Sequence, residues 1–210
     1  MEIHTVTESA EEFTCNAYLL AGESSALVDA GTMPGVEDVV ADHVDDLDAV
    51  VLTHQHRDHV GELDAVLDRF DADLYAYGDH PRRTAALEDG QTIELAGEAY
   101  EVVHTPGHAD DHVSLVGETR VFSGDVVVYN DGAFDDGSFG RTDMPGQSRE
   151  ELIESLRRLL DRLPETVEAL YAGHGDVYRA DPVGEADSVR DVIERALDRA
   201  ERREPKYPDE

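Results

Sequence analysis

Short apolar runs alternate with helically spaced apolar positions along this chain. Residues 13–20 carry β-forming side chains, and Ser25-Ala26-Leu27-Val28-Asp29-Ala30-Gly31 reads as a brief strand closing in a turn. Pro34 is suited to the first turn of a helix, and Val36, Val39, Val40 and Val44 follow at helical spacing. The run Ala49-Val50-Val51-Leu52 predicts a buried strand, and Leu63, Val66, Leu67 and Phe70 predict the helix after it. A short strand is expected at residues 74–77 and a helix at residues 79–87, with Pro81 near its start. Strands are then expected at residues 92–95, 100–104, 112–116 and 119–123, separated by Gly-containing turns. A polar, Gly-rich stretch spans residues 130–147, longer than a simple connector needs to be. Beyond it, Ser148 and Glu151 have capping-box spacing ahead of Leu152, Leu156, Leu159, Leu160 and Leu163. Residues 167–171 read as a strand, and Val189, Val192, Ile193, Ala196, Leu197 and Ala200 as an amphipathic helix.

Strands thus arrive in two batches, each followed by helices. The pattern predicts an α/β protein with two sheets packed face to face and helices outside, a four-layer αββα sandwich. At 210 residues the expectation is a single domain over residues 1–201 with a short charged tail at residues 202–210.

Composition changes this picture at a few points. Forty-nine acidic residues against 17 basic ones give a formal net charge of −32, and Lys206 is the only lysine. The acidic residues are scattered and form no single tail, as expected of a protein adapted to molar salt, where charges are screened over ~3 Å. No Lys/Arg patch marks a nucleic-acid surface. No apolar run reaches the ~18 residues of a membrane span. Residues 1–5 do not open an export signal, and Cys15, the only cysteine, excludes an intramolecular disulfide. The expected location is therefore the cytoplasm, and Cys15 is expected to be a small buried side chain.

The chemistry gathers at predicted strand ends. Residues 53–61, Thr-His-Gln-His-Arg-Asp-His-Val-Gly, place His54, His56, Asp58 and His59 directly after an apolar strand. Thr105-Pro106-Gly107-His108 is a turn carrying a further histidine, Ser123-Gly124-Asp125 ends a strand in a carboxylate, and Gly173-His174-Gly175 ends another. One residue separates His54 from His56 in an extended segment, so both rings can face one side. Imidazoles and carboxylates without a thiolate suit zinc, iron or manganese. Asp29, at a neighbouring strand end, is expected to orient a ligand loop, and His112 is a candidate to support the ligands from behind. His4, His43 and His80 are expected at the surface, and His104 packed in its strand.

The ordered series HxHxDH, PGH, GD and GHG resembles that of the metallo-β-lactamase-fold superfamily, and within it the single-domain glyoxalase II-like hydrolases, over residues 13–175. The resemblance implies an αββα sandwich with a two-metal site at the open edge between the sheets. It implies that His54, His56 and His108 hold one zinc, that Asp58, His59 and His174 hold the second, and that Asp125 bridges them; iron or manganese are alternatives. A hydroxide shared by the metals would attack a small-thiol thioester, with Asp58 orienting it. The loop Phe139-Gly140-Arg141-Thr142-Asp143-Met144-Pro145-Gly146 is similar to that of this branch, and Arg141 would pair with a substrate carboxylate. The partner implied is a small-molecule thioester, with no nucleic acid and no membrane.

Alternatives follow from the same motif. Persulfide dioxygenases carry a similar Gly-Arg-Thr-Asp loop and imply a single iron on the His54–His56 pair or its partners and Asp125. RNA-processing nucleases of the superfamily usually add an RNA-grasping arm, and none is evident. True two-zinc β-lactamases place a cysteine at the second metal, where this chain has carboxylates. A metal-binding module without enzymatic activity is the remaining reading. Little sequence follows His174, so the helical domain with which longer glyoxalase II enzymes hold the thiol is not expected, and the thiol is left unnamed.

Overall fold

The computed structural model describes residues 1–180 and 187–203. It divides into two compact units, Met1–Tyr100 and Glu101–Glu210. The charged tail expected at residues 202–210 falls, beyond Arg203, outside the described residues.

The first sheet has six strands in sequence order: β1 (Glu2–Thr5), β2 (Tyr18–Ala21), β3 (Ala26–Val28), β4 (Ala49–Val51), β5 (Asp73–Ala76) and β6 (Ala85–Ala86). β1, β2 and β3 pair antiparallel, whereas β3 through β6 run parallel. Ala49, Val50 and Val51 are all buried, as a central strand covered on both faces requires. Two helices, α1 (Val36–Ala41) and α3 (Leu63–Phe70), supply Val36, Val40, Leu63, Val66 and Leu67 to a core shared with Leu27, Val50 and Leu74. Between β4 and α3 lies a single turn of helix, α2 (Arg57–Val60).

The second sheet is ordered β12-β11-β10-β9-β8-β7, built from β7 (Thr92–Leu95), β8 (Glu98–His104), β9 (Val113–Val116), β10 (Arg120–Gly124), β11 (Ala169–Ala172) and β12 (Tyr178–Arg179). β8, β9 and β10 pair antiparallel, β10 and β11 parallel. The helices α4 (Arg149–Arg162) and α5 (Val189–Glu201) bury Leu152, Leu156, Leu159, Val192, Ile193 and Ala196 against Val121, Val127 and Leu170. Each batch of strands therefore forms a mixed sheet with its own pair of packed helices, the α/β class expected from the pattern.

Local expectations needed correction. Residues 79–87 are not helical: the Thr84 hydroxyl bonds the backbone of Leu74, and the Arg83 guanidinium bonds the carbonyls of Tyr77 and Gly78. Ala85 and Ala86 pair as β6 with Tyr75 and Ala76 instead. α1 begins at Val36 behind Gly35 in a left-handed conformation (φ 84°), two residues later than Pro34 suggested. At α4 the Ser148 hydroxyl accepts from the Glu151 amide, whereas the reciprocal capping box occurs at Ser188 and Asp191, ahead of α5. Cys15 is fully buried, as expected.

Candidate metal centre

In the first unit the motif sits at the carboxyl ends of two parallel neighbours, β3 and β4, which bring their last residues to the same edge. β3 runs into Asp29 and β4 into Thr53-His54, and the Asp29 amide donates to the Val51 carbonyl. Asp29 is 1% exposed and has φ 60°, a left-handed conformation that aspartate tolerates better than most side chains. Its carboxylate accepts from the Thr53 amide at 2.8 Å, from the Thr53 hydroxyl at 2.8 Å and from His59 Nδ1 at 2.9 Å. These bonds assign protons. His59 carries its proton on Nδ1, which leaves the ring lone pair on Nε2. With its own proton committed to Asp29, Thr53 Oγ1 accepts from His54 Nδ1 at 3.1 Å, so the His54 lone pair is likewise on Nε2.

The rings of His54 and His56 lie 4.6 Å apart, those of His54 and His59 4.0 Å apart, and His59 Nε2 is 3.9 Å from Asp58 Oδ2. The loop is pinned from outside: the amides of Ala30 and Gly31 donate to the His59 carbonyl, and the Cys15 amide to that of Asp58. Gly61 closes it because a Cβ there would meet Thr32 Cγ2 at 2.5 Å. Cys15, Asp29 and His59 also have ligand-type atoms within 4.8 Å of one another.

The second unit repeats the principle. β10 and β11 are parallel, so Asp125 and His174 leave them at one edge, with the Gly173 amide on the Gly124 carbonyl. His108 sits in the loop joining β8 to β9. That turn is held against α4 by the Ser148 amide on the Gly107 carbonyl and the Ser155 hydroxyl on the Pro106 carbonyl. Gly107 has φ 125°, and a Cβ there would lie 2.3 Å from the Leu152 nitrogen. Asp125 Oδ2 is 3.3 Å from His108 Nε2 and 3.5 Å from His174 Nε2. His108 Nδ1 donates to the Arg141 carbonyl at 2.8 Å, which again leaves the lone pair on Nε2.

The backbone of Asp125 is fixed on both sides. Its carbonyl accepts from the Gly140 amide at 2.6 Å, and its amide donates to His112 Nε2 at 2.9 Å. His112 is fully buried and must therefore be protonated on Nδ1, which donates to Thr105 Oγ1 at 2.8 Å; that hydroxyl in turn meets Ser114 Oγ at 3.1 Å. His112 thus holds the Asp125 backbone. Replacing His112 with alanine should weaken metal retention roughly 10–100-fold, the usual loss when an outer partner is removed. Chelator competition on folded protein measures this, and wild-type retention would refute the role.

Gly140 has no room for a side chain: a Cβ would lie 2.4 Å from the Asp125 carbonyl oxygen and 2.8 Å from His108 Nδ1. Arg141 beside it forks onto Asp143, with Nε to Oδ1 at 2.9 Å and an Nη2 to Oδ2 contact of 2.7 Å. That guanidinium holds the Asp143 carboxyl below its ordinary value, so the pair persists at neutral pH and is lost only as pH falls through the lowered value. The sequence reading missed Thr53, Thr105 and Gly140. Thr53 and Thr105 each stand beside a strand-end histidine loop, and Gly140 lies in the Gly-rich stretch, but their partners become visible only in space.

The donor set fits a divalent cation. Every donor among the seven residues of the motif is an imidazole nitrogen or a carboxylate oxygen, and three of the imidazoles are fixed with Nε2 as the lone-pair atom. Fold and site together define an α/β protein with a His/Asp divalent metal site. The chain belongs to the metallo-β-lactamase superfamily: the family model described as "Metallo-beta-lactamase superfamily" matches residues 10–174. It is 32% identical over 153 residues to a hydroxyacylglutathione hydrolase of Vibrio cholerae serotype O1, which covers 71% of this chain and 56% of that protein. The chain thus spans little more than half the length of such curated relatives. Among solved structures it is similar to ETHE1 from Myxococcus xanthus, at 26% identity and a TM-score of 0.74, covering 95% of this chain and 84% of that one. It is also similar to TTHA1623 in a di-iron-bound form, at 30% identity and a TM-score of 0.62, covering 79% and 89%. Among the described residues no helix is long and apolar enough to cross a membrane.

Proposed function

We propose that this protein is a cytoplasmic metallohydrolase of small-thiol thioesters, with His54, His56 and His108 holding one zinc, Asp58, His59 and His174 a second, and Asp125 shared between them. The observation that carries the reading is Asp125 itself: one buried carboxylate oxygen stands within 3.5 Å of two imidazole Nε2 atoms, an arrangement suited to a shared ligand. The identity to hydroxyacylglutathione hydrolases supports the reaction class. Bound at these residues, a pair of divalent cations would supply Lewis acidity and lower the pKa of water toward neutrality. Asp58 accepts a hydrogen bond from the attacking water and turns its lone pair to the thioester carbonyl. Asp29 keeps the His59 proton on Nδ1, and His112 keeps the Asp125 backbone in place. The C–S bond breaks, giving a carboxylic acid and a thiol.

Arg141 is the candidate to receive a substrate carboxylate. Its side chain is 39% exposed and its present partner, Asp143, 51% exposed. An exposed pair of this kind contributes about 1 kcal/mol or less, so exchanging Asp143 for a substrate carboxylate costs little. The acidic surface favours assay in molar salt.

A second reading is persulfide oxidation on a single iron held by the His54–His56 pair or its partners and Asp125. The likeness to ETHE1 over 95% of the chain and the Gly140-Arg141-Thr142-Asp143 loop favour it. Turnover of S-lactoyl thioesters and of persulfides, with an oxygen electrode, separates the two. Acid and thiol release without oxygen uptake is expected; oxygen uptake with persulfide and no thioester cleavage would overturn the lead.

A further inference from the structure

We propose that a cavity beside Arg57 in the first unit receives a carboxylate carried by the thiol half of the substrate; the proposal rests on the thioester reading above. The cavity measures about 440 Å³ and is lined by Glu12, Phe13, Thr32, Arg57 and Asp58. That volume is within the usual range for small-molecule sites. Asp58 belongs to the metal motif, so a molecule filling the cavity lies directly beside a residue of the reaction site.

Two features mark the cavity as built for a ligand. The first is Arg57. In a chain of net charge −32 arginines are readily drawn to carboxylates: Arg82 meets Asp64 and Asp68, Arg83 meets Asp79, and Arg157 meets Glu154 and Glu201. Among the described residues Arg57 is the one arginine with no hydrogen bond, ion pair or ring contact. Its backbone is nevertheless fixed, because α2 is tied down by the His59 amide on the His56 carbonyl and by the Cys15 amide on the Asp58 carbonyl. Its side chain is exposed, and no carboxylate of the described residues pairs with it.

The second feature is Phe13, 77% exposed and one of three exposed large hydrophobic residues among those described. It is not on a loose end. Its carbonyl accepts from the Thr32 hydroxyl at 3.0 Å, and the Thr32 amide donates to Thr14 Oγ1 at 2.8 Å. Thr32 is in turn packed against Gly61, the residue that closes the histidine loop. An exposed aromatic ring and a guanidinium without a paired carboxylate, lining one cavity, fit a ligand with a short apolar segment ending in an anion. Glu12 and Asp58 line the same cavity and repel any anion in proportion to its charge, which disfavours a dianionic phosphate more than a monoanionic carboxylate.

The test compares S-lactoyl-β-mercaptopropionate with its propionamide counterpart, which differs only in lacking the charge. The wild-type enzyme, assayed in molar salt with its metal content measured, should favour the acid in kcat/KM by roughly tenfold, the factor expected of a charge-assisted hydrogen bond. In Arg57→Gln the acid-to-amide ratio should fall several-fold through KM for the acid, and Arg57→Lys should restore part of it. Phe13→Ala, which leaves the metal motif untouched, should raise KM for both esters. An unchanged acid-to-amide ratio in Arg57→Gln would overturn the proposal. Binding of β-(methylthio)propionate, which cannot be hydrolysed, is read in parallel by NMR. If neither ester is cleaved, the hydrolase reading fails, while Arg57-dependent binding of this thioether upholds the cavity; equal binding by wild type and Arg57→Gln sinks it.

Discussion

Replacing Asp125 with alanine is expected to abolish metal-dependent turnover and to strip metal from the protein without unfolding it. The side chain stands 3.3 Å from His108 and 3.5 Å from His174, and the proposed centre has no other ligand common to both cations. The frame around it does not depend on the carboxylate, because the backbone is held by His112 on one side and Gly140 on the other. The loss should therefore exceed the ~10–100-fold that removal of an outer partner such as His112 causes. Metal content and turnover of the purified variant, with circular dichroism as the control for folding, measure this. Retained turnover in a folded variant would refute the shared-ligand assignment.

Asp29→Ala is expected to destabilise the first unit by about 3 kcal/mol or more, because each buried donor left without an acceptor costs about 1–3 kcal/mol. Three donors lose their acceptor together: the Thr53 amide, the Thr53 hydroxyl and His59 Nδ1. The alanine would also have to keep φ 60°, which adds about 1–2 kcal/mol against a β-carbon that aspartate offsets by local bonding. Asn at position 29 retains the shape and should lose less. Denaturant melts in molar salt distinguish them; a change within ~0.5 kcal/mol for alanine, the range of an ordinary surface substitution, would show that Asp29 is not the anchor described.

These two residues also show what sequence can and cannot carry. Asp125 was legible because a carboxylate directly after the strand run Val121-Phe122-Ser123-Gly124 is chemistry at a strand end, and strand ends are where parallel neighbours meet. Asp29 was legible for the same reason, although its three bonds were not. The spacing of His112 to His108 makes it a candidate to support the expected ligands. Only the fold reveals that it grips the Asp125 amide, because β8, β9 and β10 must first pair. The buried strands and amphipathic helices were readable from periodicity. The polar edge strand β1, the two-residue strands β6 and β12, and the single turn α2 were not, since each is too short or too exposed to impose a hydrophobic period. The helix expected at residues 79–87 failed for a complementary reason: Thr84 and Arg83 bond the neighbouring backbone, and side-chain bonds of that kind compete with a helix. Arg57 carried no signal in sequence beyond lying inside the motif. Its isolation appears only when the other arginines are seen to be engaged.

The proposed function requires a two-metal centre. Elemental analysis of protein purified in molar salt, with its turnover of an S-lactoyl thioester measured on the same sample, tests it most directly. The account predicts two equivalents of zinc per chain, both lost in Asp125→Ala together with thioester cleavage. A single iron per chain, with oxygen consumed in the presence of a persulfide and the thioester left intact, would contradict it.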